Sequence, residues 1–557
     1  MVEISYTIQI KKHPGLNFNS DQYLASQIKN YIQQYDNQFY GPFATLCQSS
    51  GFGKTRACEA LVNDNFYVVY CCLRKKSSSG FPPRSPAADF IQSNDSKEIM
   101  IRKFICYLNL FIENVQNASN ENVPCNEFYR EYFPNDQYLL ELLDKKLEDT
   151  TNDSELGVYE GNNPLLFIFD EKSSLLEEKI NGTNSYFILR KVLSKLAGNV
   201  FVLFLDLFMN LSEYYPKKEA DRSGRICSLE KTLFEPIYLL PNWDLFVDYD
   251  LIKSMKETVT FENICRFGRV LWGSLMHTKL ISDGKCKNVS DTNIYDFAIS
   301  KLLGGRPWSS IVLDDNECIA ASSCRIGTIK SKSTSTSQDL VAKNMAICTY
   351  VNTQNDIFEI EYSSEPVLAV ASAYLINSFG YEKVMDSLVR SVESSIISLG
   401  DRGEIIYLLL NWDLFVDYDL TFENICRFCR VLWGSLMHTK LFSDGKCKNM
   451  SDDYIYNLAI SKLLGGRPWS SIILDDKACL AASNCRIGTI KSKSTSTSQD
   501  LVAKNMAICT YVNTQNDIFE IEYSSEPVLA VSSAYLINSW GYEKVMVSFV
   551  KALNHLF

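Results

Sequence analysis

Between Ala44 and Leu205, apolar runs of strand length alternate with longer amphipathic stretches. The apolar runs predict four β-strands, at Ala44–Cys47, Phe66–Leu73, Leu165–Phe169 and Val200–Leu205. The stretches between them have apolar residues at helical spacing and predict helices at Lys54–Val62, Lys97–Val115, Asn126–Lys146 and Ser185–Leu196. This alternation is typical of a parallel sheet with helices on both faces. A further amphipathic stretch, Asp21–Gln34, is expected to pack on this unit.

A tandem repeat occupies the chain from Ile237 onward. The pattern Ile-Tyr-Leu-Leu-x-Asn-Trp-Asp that starts at Ile237 returns at Ile406, and the 47 residues Cys324–Val370 recur unchanged as Cys485–Val531. The first copy also carries an eight-residue insertion, Ile252–Val259. A period this long indicates duplication of a whole domain rather than a stacked array of short repeats.

Each repeat copy is predicted to be mainly helical. In the first copy the helical spacing covers Thr260–Met276 and Ile294–Leu303. Two β-prone runs, Ala346–Val351 and Ile357–Tyr362, flank a polar turn and predict a hairpin. The Ser- and Thr-rich segment Ser331–Ser337 is predicted to be a loop.

Length and charge limit the class of protein. At 557 residues the chain is too long for one hydrophobic core, so several domains are expected. The net charge of -11 gives no support for nucleic-acid binding, which needs clustered basic residues. No apolar run reaches eighteen residues and no secretory signal is evident, so we expect an intracellular protein, cytoplasmic rather than nuclear, without a membrane span.

The eighteen cysteines are scattered along the chain, which is typical of buried, reduced thiols. The one CxxC motif, Cys426 to Cys429, would suggest zinc or redox chemistry. Its counterpart in the first copy ends in Gly268, however, and no second CxxC or His pair completes a ligand set. A metal role for this motif is therefore not expected.

A glycine-rich segment, Gln48 to Thr55, follows the first predicted strand and opens the first predicted helix. Such a turn directs backbone N–H groups at a phosphate, and the helix N-terminus adds a favourable dipole. We expect Lys54 to reach the β- and γ-phosphates of ATP, or of GTP as the alternative, and Thr55 to bind Mg²⁺. The residues predicted to hold the nucleotide are Ser49, Ser50, Gly51, Phe52, Gly53, Lys54, Thr55 and Arg56.

The glycine-rich segment departs from the usual P-loop motif at its first position, where Gln48 replaces glycine. If that position needs a positive φ, a side chain there costs about 1–2 kcal/mol. The nearby Gly51 would relieve this strain by changing the local turn.

A second motif, Leu165 to Glu171, is an apolar run that ends in Asp-Glu. It predicts a buried central strand that delivers two carboxylates to the edge of the sheet where ligands bind. Asp170 is expected to hold Mg²⁺ through water, and Glu171 to orient or deprotonate the attacking water. The alternative is a helix N-terminus that favours acids. The Lys54 loop upstream, with one strand between the motifs, favours catalysis.

Further candidates lie beyond these two motifs. The next strand ends at Asp206, where AAA+-like ATPases commonly carry a neutral polar sensor of the γ-phosphate, and an anion there would repel phosphate. Arg222 and Arg225 lie where such folds place an arginine finger. Arg306, in a Gly-Arg-Pro-Trp segment, is similar to the element with which lid domains of STAND and AAA+ proteins reach the nucleotide, and it would stabilise phosphoryl charge. The alternative is a Gly-Pro loop with Trp308 in the core.

Several of these segments together resemble the large fungal proteins related to crinkler-type P-loop ATPases. The resemblance rests on Ser49–Arg56, Gly305–Trp308, Ser364–Pro366 and Asp401–Glu404, and it covers Tyr40–Leu410. It implies nucleotide binding. In such proteins a nuclease-like or other effector domain can follow the last of these segments, a place that the second repeat takes in this chain.

The sequence therefore predicts an α/β P-loop NTPase domain of AAA+/ASCE type at 39–236, after an N-terminal helical segment at 1–38. Two near-identical, mainly helical repeat domains, each with a β-hairpin, are expected at 237–405, which is lid-like, and at 406–557. The predicted activity is Mg-ATP binding with hydrolysis that switches the repeat region, and a protein partner or self-association is expected. The alternatives are a nucleotide-binding scaffold with little hydrolysis and an interaction protein with a decayed site.

Overall fold

A computed structural model describes the chain over 20–206 and 231–379, together with 397–398, 459–464, 508–513, 518–522 and single positions between 478 and 536. Gaps within the two long stretches fall at 77–81, 94, 133–135, 152–153, 178, 181–182, 239, 244, 248–260, 282–290, 307–312, 327–329, 332–333, 353–356 and 363–364.

Four parallel strands form the main sheet in the order β1-β4-β3-β2. Their bounds are β1 Phe43–Cys47, β2 Tyr67–Cys72, β3 Leu165–Asp170 and β4 Val200–Asp206. Because the strands are parallel, their carboxyl ends share one edge, with Cys47 opposite Asp206 and Cys72 opposite Asp170. One strand, β4, thus separates the strand before the glycine-rich segment from the strand that ends in Asp170.

Helices cover both faces of this sheet, because successive strand residues point to opposite sides and both sets are apolar. Alternate residues of β3 such as Leu166 and Ile168 pack with helices α1 and α2, and those such as Phe167 and Phe169 pack with α3 to α8. One face carries α1 Ser20–Gln34 and α2 Lys54–Ala60, followed by the 3₁₀ turn Leu61–Asp64. The other face carries α3 Ala87–Ile91, α4 Lys97–Asn120, α5 Cys125–Tyr132, α6 Asp136–Asp149, α7 Ser173–Glu177 and α8 Ser185–Leu193.

The start of the first repeat runs along the outer edge of β1. Ile237 forms a parallel bridge with Leu46; its N–H donates to the Thr45 carbonyl at 2.8 Å, and its carbonyl accepts from the Cys47 N–H at 2.7 Å. Phe39 and Thr232 form a second parallel bridge nearby. The first residues of the duplicated stretch therefore complete the edge of the α/β sheet.

The described residues of 261–379 are mainly helical and include one hairpin. The helices are α9 Phe261–Ile264, α10 Val270–Ile281, α11 Asp291–Leu302, α12 Asp315–Ile326, α13 Thr334–Lys343 and α14 Pro366–Phe379. The hairpin pairs β5 Ile347–Asn352 with β6 Ile357–Glu361. Short two-residue ladders join Val158–Tyr159 to Ala197–Gly198, Lys179–Ile180 to Thr183–Asn184, and Lys330–Ser331 to Ile397–Ser398.

The described parts of the second copy reproduce features of the first. Its hairpin pairs β7 Ile508–Asn513 with β8 Ile518–Glu522 in the same register and with the same irregularity. The Ser533 hydroxyl donates to the Ala482 carbonyl, as the Ser372 hydroxyl donates to the Ala321 carbonyl.

The structure changes three element predictions. The helix predicted at Thr260–Met276 is two helices, α9 and α10, with a break at 265–269. The helix predicted at Asn126–Lys146 corresponds to two described helices, α5, which ends at Tyr132, and α6, which begins at Asp136. The predicted loop Ser331–Ser337 is wrong from Thr334 onward, where α13 begins. Among the described helices, none combines the length and apolarity needed to cross a membrane.

We expect Phe167→Ala to lower the free energy of unfolding by about 3–5 kcal/mol, because it leaves a cavity in the central strand. The Phe167 ring is fully buried beside the Tyr107 and Phe111 rings, with centroid distances of 6.2 and 6.4 Å. Urea unfolding measures the change. Val158→Ala is the control, because Val158 is 53% exposed and its truncation should change stability by less than about 0.5 kcal/mol. Equal effects of the two variants would contradict this account of the core.

Candidate functional site

The glycine-rich loop, residues 48–53, joins the end of β1 to the start of α2. Gly51 and Gly53 have φ of 81° and 74°, in the left-handed region that favours glycine. Gln48 is not among the residues with positive φ, so replacing the first glycine of the motif does not bring the expected strain. Its Oε1 accepts from the Ser49 N–H at 3.0 Å, and its buried Nε2 has no hydrogen-bond partner within the described part of the chain.

Lys54 is the first residue of α2 and folds back over this loop. Its Nζ donates to the carbonyls of Gln48 at 2.6 Å and Ser49 at 3.1 Å. The residue that precedes the helix, Gly53, makes no side-chain cap. The first-turn N–H groups of α2 thus have no capping side chain at Gly53, and an anion is a suitable acceptor for them.

Thr55 and Asp170 meet around the hydroxyl of Tyr70. The Tyr70 O–H lies 2.5 Å from Asp170 Oδ2 and 3.4 Å from Thr55 Oγ1. Burial, and next the nearby Asp170, hold the pKa of Tyr70 well above its usual value, so Tyr70 stays protonated and donates to the carboxylate. The two residues predicted to bind a metal are therefore within reach of one hydroxyl.

Glu171 diverges from Asp170 immediately after β3. Its φ of 58° lies in the left-handed region, a conformation that costs a non-glycine residue free energy and is found more often at functional sites. The Glu171 N–H donates to Asp170 Oδ1 at 2.9 Å, and its own carboxylate pairs with Arg74 Nη2 at 3.2 Å. Arg74 thus holds the predicted general base.

Lys172 continues this turn back into the protein. Its side chain is fully buried, and its Nζ donates to Thr45 Oγ1 at 2.7 Å. The ammonium also lies 5.2 Å from the Phe204 ring centroid and 5.4 Å from that of Tyr186. This buried hydrogen bond links the residue that follows β3 by two positions to Thr45 of β1.

Arg269 of the first repeat donates hydrogen bonds to the glycine-rich loop. Its Nη1 donates to Ser49 Oγ at 3.0 Å and to the Ser50 carbonyl at 2.8 Å. Its Nη2 donates to the Met345 carbonyl at 2.7 Å, and its Nε to Glu365 Oε2 at 2.8 Å. We call the set Ser49, Ser50, Arg269, Trp272 and Glu365 the clasp.

Glu365 orients Arg269 within the clasp. The two side chains are fully buried, and Arg269 Nη2 donates to Glu365 Oε1 at 2.6 Å. Trp272 Nε1 donates to the other carboxylate oxygen at 2.7 Å. Loss of one partner of a buried ion pair leaves an uncompensated charge and costs about 3–5 kcal/mol. The hydrogen bonds from Arg269 to the loop therefore belong to a buried set that is costly to disrupt.

Two further hydrogen bonds link the first repeat to backbone carbonyls of the loop. The Leu271 N–H donates to the Gly51 carbonyl at 3.1 Å, and Asn242 Nδ2 donates to the Phe52 carbonyl at 2.6 Å. A Cβ atom on Gly51 would lie 2.7 Å from Leu271 Cβ. Glycine is thus needed at this position for packing as well as for its positive φ.

Lys301, on α11, places a second cation at the loop. Its Nζ lies 3.3 Å from Ser50 Oγ, and the residue is partly buried. Burial, followed by the charges of Arg269 and Arg74, lowers the pKa of Lys301, and Glu171 partly opposes this. These contacts concentrate positive charge beside the loop, where an anionic ligand would relieve the repulsion.

The structure brings together most of the site residues predicted from the sequence. Ser49, Ser50, Gly51, Phe52, Gly53, Lys54, Thr55, Asp170 and Glu171 share the carboxyl edge of the sheet. Arg56 is exposed on α2. Arg306 pairs with Glu317 and Asp314 of its own repeat, and none of its described hydrogen bonds reaches the loop. Arg222 and Arg225 lie outside the described residues, and Asp206 ends β4 opposite Cys47.

Sequence reasoning missed five residues that surround the predicted ones: Tyr70, Arg74, Lys172, Arg269 and Lys301. Tyr70 lies in an apolar strand, so the sequence pattern predicts a core residue there. Arg74 directly follows a predicted strand and Lys301 lies near the end of a predicted helix, and these positions were the sequence signal for the two basic residues. The Arg269 contact with Glu365 spans 96 residues of sequence, so no local pattern reports it.

The described cysteines agree with the expectation of buried thiols. Burial raises the pKa of Cys106 and of Cys125 to about 11, which keeps both protonated and poorly reactive at neutral pH. The second-copy CxxC lies outside the described residues. Within the described ones, no group of three or more His, Cys, Asp or Glu is placed to hold a metal ion.

Residues 14–240 match the model of a protein family described as a domain of unknown function, DUF8735. The match takes in the whole main sheet, the glycine-rich loop, Asp170 and the edge contact of Ile237. It ends before Arg269, so the clasp joins the matched region to the rest of the chain. No curated protein matches the chain.

We expect Glu365→Gln to lower the free energy of unfolding by about 3–5 kcal/mol, because the neutral amide leaves the Arg269 charge buried without its counter-ion. The control is Glu262→Gln, since Glu262 forms an i,i+4 pair with Arg266 in which it is 45% exposed. Such a surface pair contributes about 0.3–0.5 kcal/mol. The midpoints of urea unfolding compare the two. A Glu365→Gln variant as stable as the control would show that the clasp does not hold the loop.

Proposed function

We propose that the chain binds Mg-ATP at the glycine-rich loop and hydrolyses it, and that the clasp passes the state of the loop to the first repeat. The observation that carries this proposal is the meeting of Thr55 and Asp170 around one hydroxyl, beside a loop over which Lys54 is folded. The parallel sheet, with one strand between these two motifs, is compatible with a P-loop-like domain. The resemblance to crinkler-type ATPases points the same way.

The loop has the donors that a triphosphate needs. Lys54 gives its hydrogen bonds to two backbone carbonyls, and phosphate oxygens, which carry charge, are stronger acceptors for an ammonium group. The uncapped start of α2 and the buried, unsatisfied Nε2 of Gln48 supply further N–H groups. An unsatisfied buried donor costs about 1–3 kcal/mol, which a bound anion or water would recover.

Thr55 and Asp170 are the residues that would hold Mg²⁺. A hydroxyl and a carboxylate are hard oxygen donors, which suit this ion, and Mg²⁺ characteristically takes few protein ligands and completes its shell with phosphate and water. When bound, the ion would neutralise charge that develops on the phosphates. Tyr70 already spans the two ligands, so its hydroxyl must shift or become an outer partner when they coordinate metal.

Glu171 is the candidate general base. It follows Asp170 directly, and a carboxylate at this edge can orient a water molecule and accept its proton. Its ion pair with Arg74 at 3.2 Å must loosen before the carboxylate turns to that water. The same pair favours a second candidate function, a nucleotide-binding switch with little hydrolysis, in which Arg74 keeps Glu171 occupied.

The first repeat is the element that would respond to nucleotide. Arg269 bonds Ser49 and the Ser50 carbonyl, and Lys301 approaches Ser50, so a phosphate that reorders the loop alters both contacts. In this proposal Arg269 and Lys301, rather than Arg306, supply the lid cations. A ligand shifts such an equilibrium only by its differential affinity for the two states.

We expect Lys54→Ala to weaken Mg-ATP binding about 10- to 100-fold, since it removes charged hydrogen bonds to phosphate. Glu171→Gln should retain binding and lose hydrolysis by about 10²- to 10⁴-fold. Lys97→Ala, in an exposed residue at the start of α4, is the control for lysine removal. Thermal stabilisation by Mg-ATP measures binding, and phosphate release measures turnover.

The outcomes separate the candidate functions. At a concentration 100 times its dissociation constant, the nucleotide should stabilise the wild-type chain by about 2.7 kcal/mol. Wild-type protein that gains no stability with Mg-ATP would refute both candidates. Binding without turnover, unaltered by Glu171→Gln, would leave only the non-hydrolysing switch.

We also expect Lys301→Met to weaken Mg-ATP binding about tenfold, because it removes a cation next to the loop. Lys462→Met is a matched control, since Lys462 occupies the equivalent position of the second copy and is exposed. Equal losses in both variants would show that Lys301 does not act at the loop.

A further inference from the structure

The residues that grip the glycine-rich loop occur twice in the chain. Every residue through which the first repeat contacts the loop by its side chain, or along 260–280, has an equivalent residue in the sequence of the second repeat. The twins of Arg269, Trp272, Lys301, Met345 and Glu365 are Arg430, Trp433, Lys462, Met506 and Glu526. The sequence contains one glycine-rich segment of this kind and two sets of the residues that contact it.

One residue separates the two gripping segments. Residues 260–280 and 421–441 are identical except that Gly268 is replaced by Cys429. Gly268 has a φ of 97°, and a Cβ atom built on it would lie 2.8 Å from Glu365 Cγ and 3.2 Å from Glu365 Oε2. The one substitution therefore falls where the backbone favours glycine and where the carboxylate that orients Arg269 leaves no room.

A side chain at this position acts on the clasp in two ways. A non-glycine residue populates the left-handed conformation roughly tenfold less than glycine does. Its Cβ also displaces the Glu365 carboxylate from the place where Trp272 and Arg269 donate to it. Both effects arise between Gly268, Arg269 and Glu365 of the first repeat, and the second repeat carries Cys429, Arg430 and Glu526 at the equivalent positions of its sequence.

The exposure of the paired lysines is an independent observation. Lys301 is partly buried and lies 3.3 Å from Ser50 Oγ, whereas Lys462 is exposed. In the first repeat this lysine therefore lies against the loop, whereas the equivalent lysine of the second repeat is exposed to solvent.

We propose that Gly268 selects the first repeat as the one that closes on the glycine-rich loop, and that Cys429 prevents the second repeat from forming the same clasp. The partner of Arg269 and Lys301 is the glycine-rich loop of the same chain. The contact between the first repeat and the loop does not depend on nucleotide binding by the loop.

Hydrogen exchange on the full wild-type chain tests the proposal without any substitution. Leu271 lies in the first turn of α10, where an N–H has no acceptor within the helix, so its protection comes from the Gly51 carbonyl. Peptides that span 268–276 and 429–437 differ in mass through Gly268 and Cys429 and are therefore resolved. We expect the Leu271 amide to exchange at least about tenfold more slowly than that of Leu432. Equal protection in the two peptides would overturn the proposal.

Gly268→Cys tests the selecting residue itself. We expect exchange of the Leu271 amide to rise to the rate of Leu432. Gly305→Ala is the matched control, because Gly305 has a φ of 89° but a Cβ there meets nothing within 4 Å. This control carries the backbone strain alone and should leave Leu271 protected. Unchanged protection in a folded Gly268→Cys chain would overturn the proposal, and if that variant does not fold, the wild-type comparison decides.

Discussion

The guanidinium of Arg269 is a full charge buried between two parts of the chain. Its five N–H donors reach Glu365, the Met345 carbonyl, Ser49 and the Ser50 carbonyl. Because both side chains of this ion pair are fully buried, a missing acceptor leaves the desolvation cost of the charge uncompensated. The glycine-rich loop, the start of α10 and residue 365 are consequently held in one relative arrangement. Lys301 and the Leu271 N–H, which also contact the loop, share that arrangement.

The parallel sheet supplies the other half of the site. Because four strands end at one edge, the loop after β1 and the carboxylates after β3 converge although more than a hundred residues separate them. Lys54 folds over the loop, Asp170 accepts from Tyr70, and Glu171 pairs with Arg74. Each of these polar groups has a protein partner that a phosphate or metal could replace. In the proposed function a phosphate and a metal ion replace these partners, and the clasp passes the change to the first repeat.

Much of this arrangement follows from local pattern. Apolar runs and their alternation predicted the bounds of the four strands to within one residue, and the motifs singled out Lys54, Thr55, Asp170 and Glu171, which the structure places at one edge of the sheet. The clasp could not be found in this way. The apolar spacing across Thr260–Met276 is that of one helix, and the break at 265–269 places Gly268 in a left-handed conformation against Glu365. Arg306 shows the opposite case: the sequence motif suggested a nucleotide contact, whereas the arginine pairs with Glu317 and Asp314 of its own repeat.

Hydrogen exchange of the wild-type chain with and without saturating Mg-ATP tests the central claim most directly, because one experiment reports on the loop and on the repeat that grips it. The account predicts slower exchange in peptides covering 48–56, together with a change in the peptide covering 268–276, where Leu271 donates to Gly51. Exchange that is identical in both regions with and without Mg-ATP would contradict it.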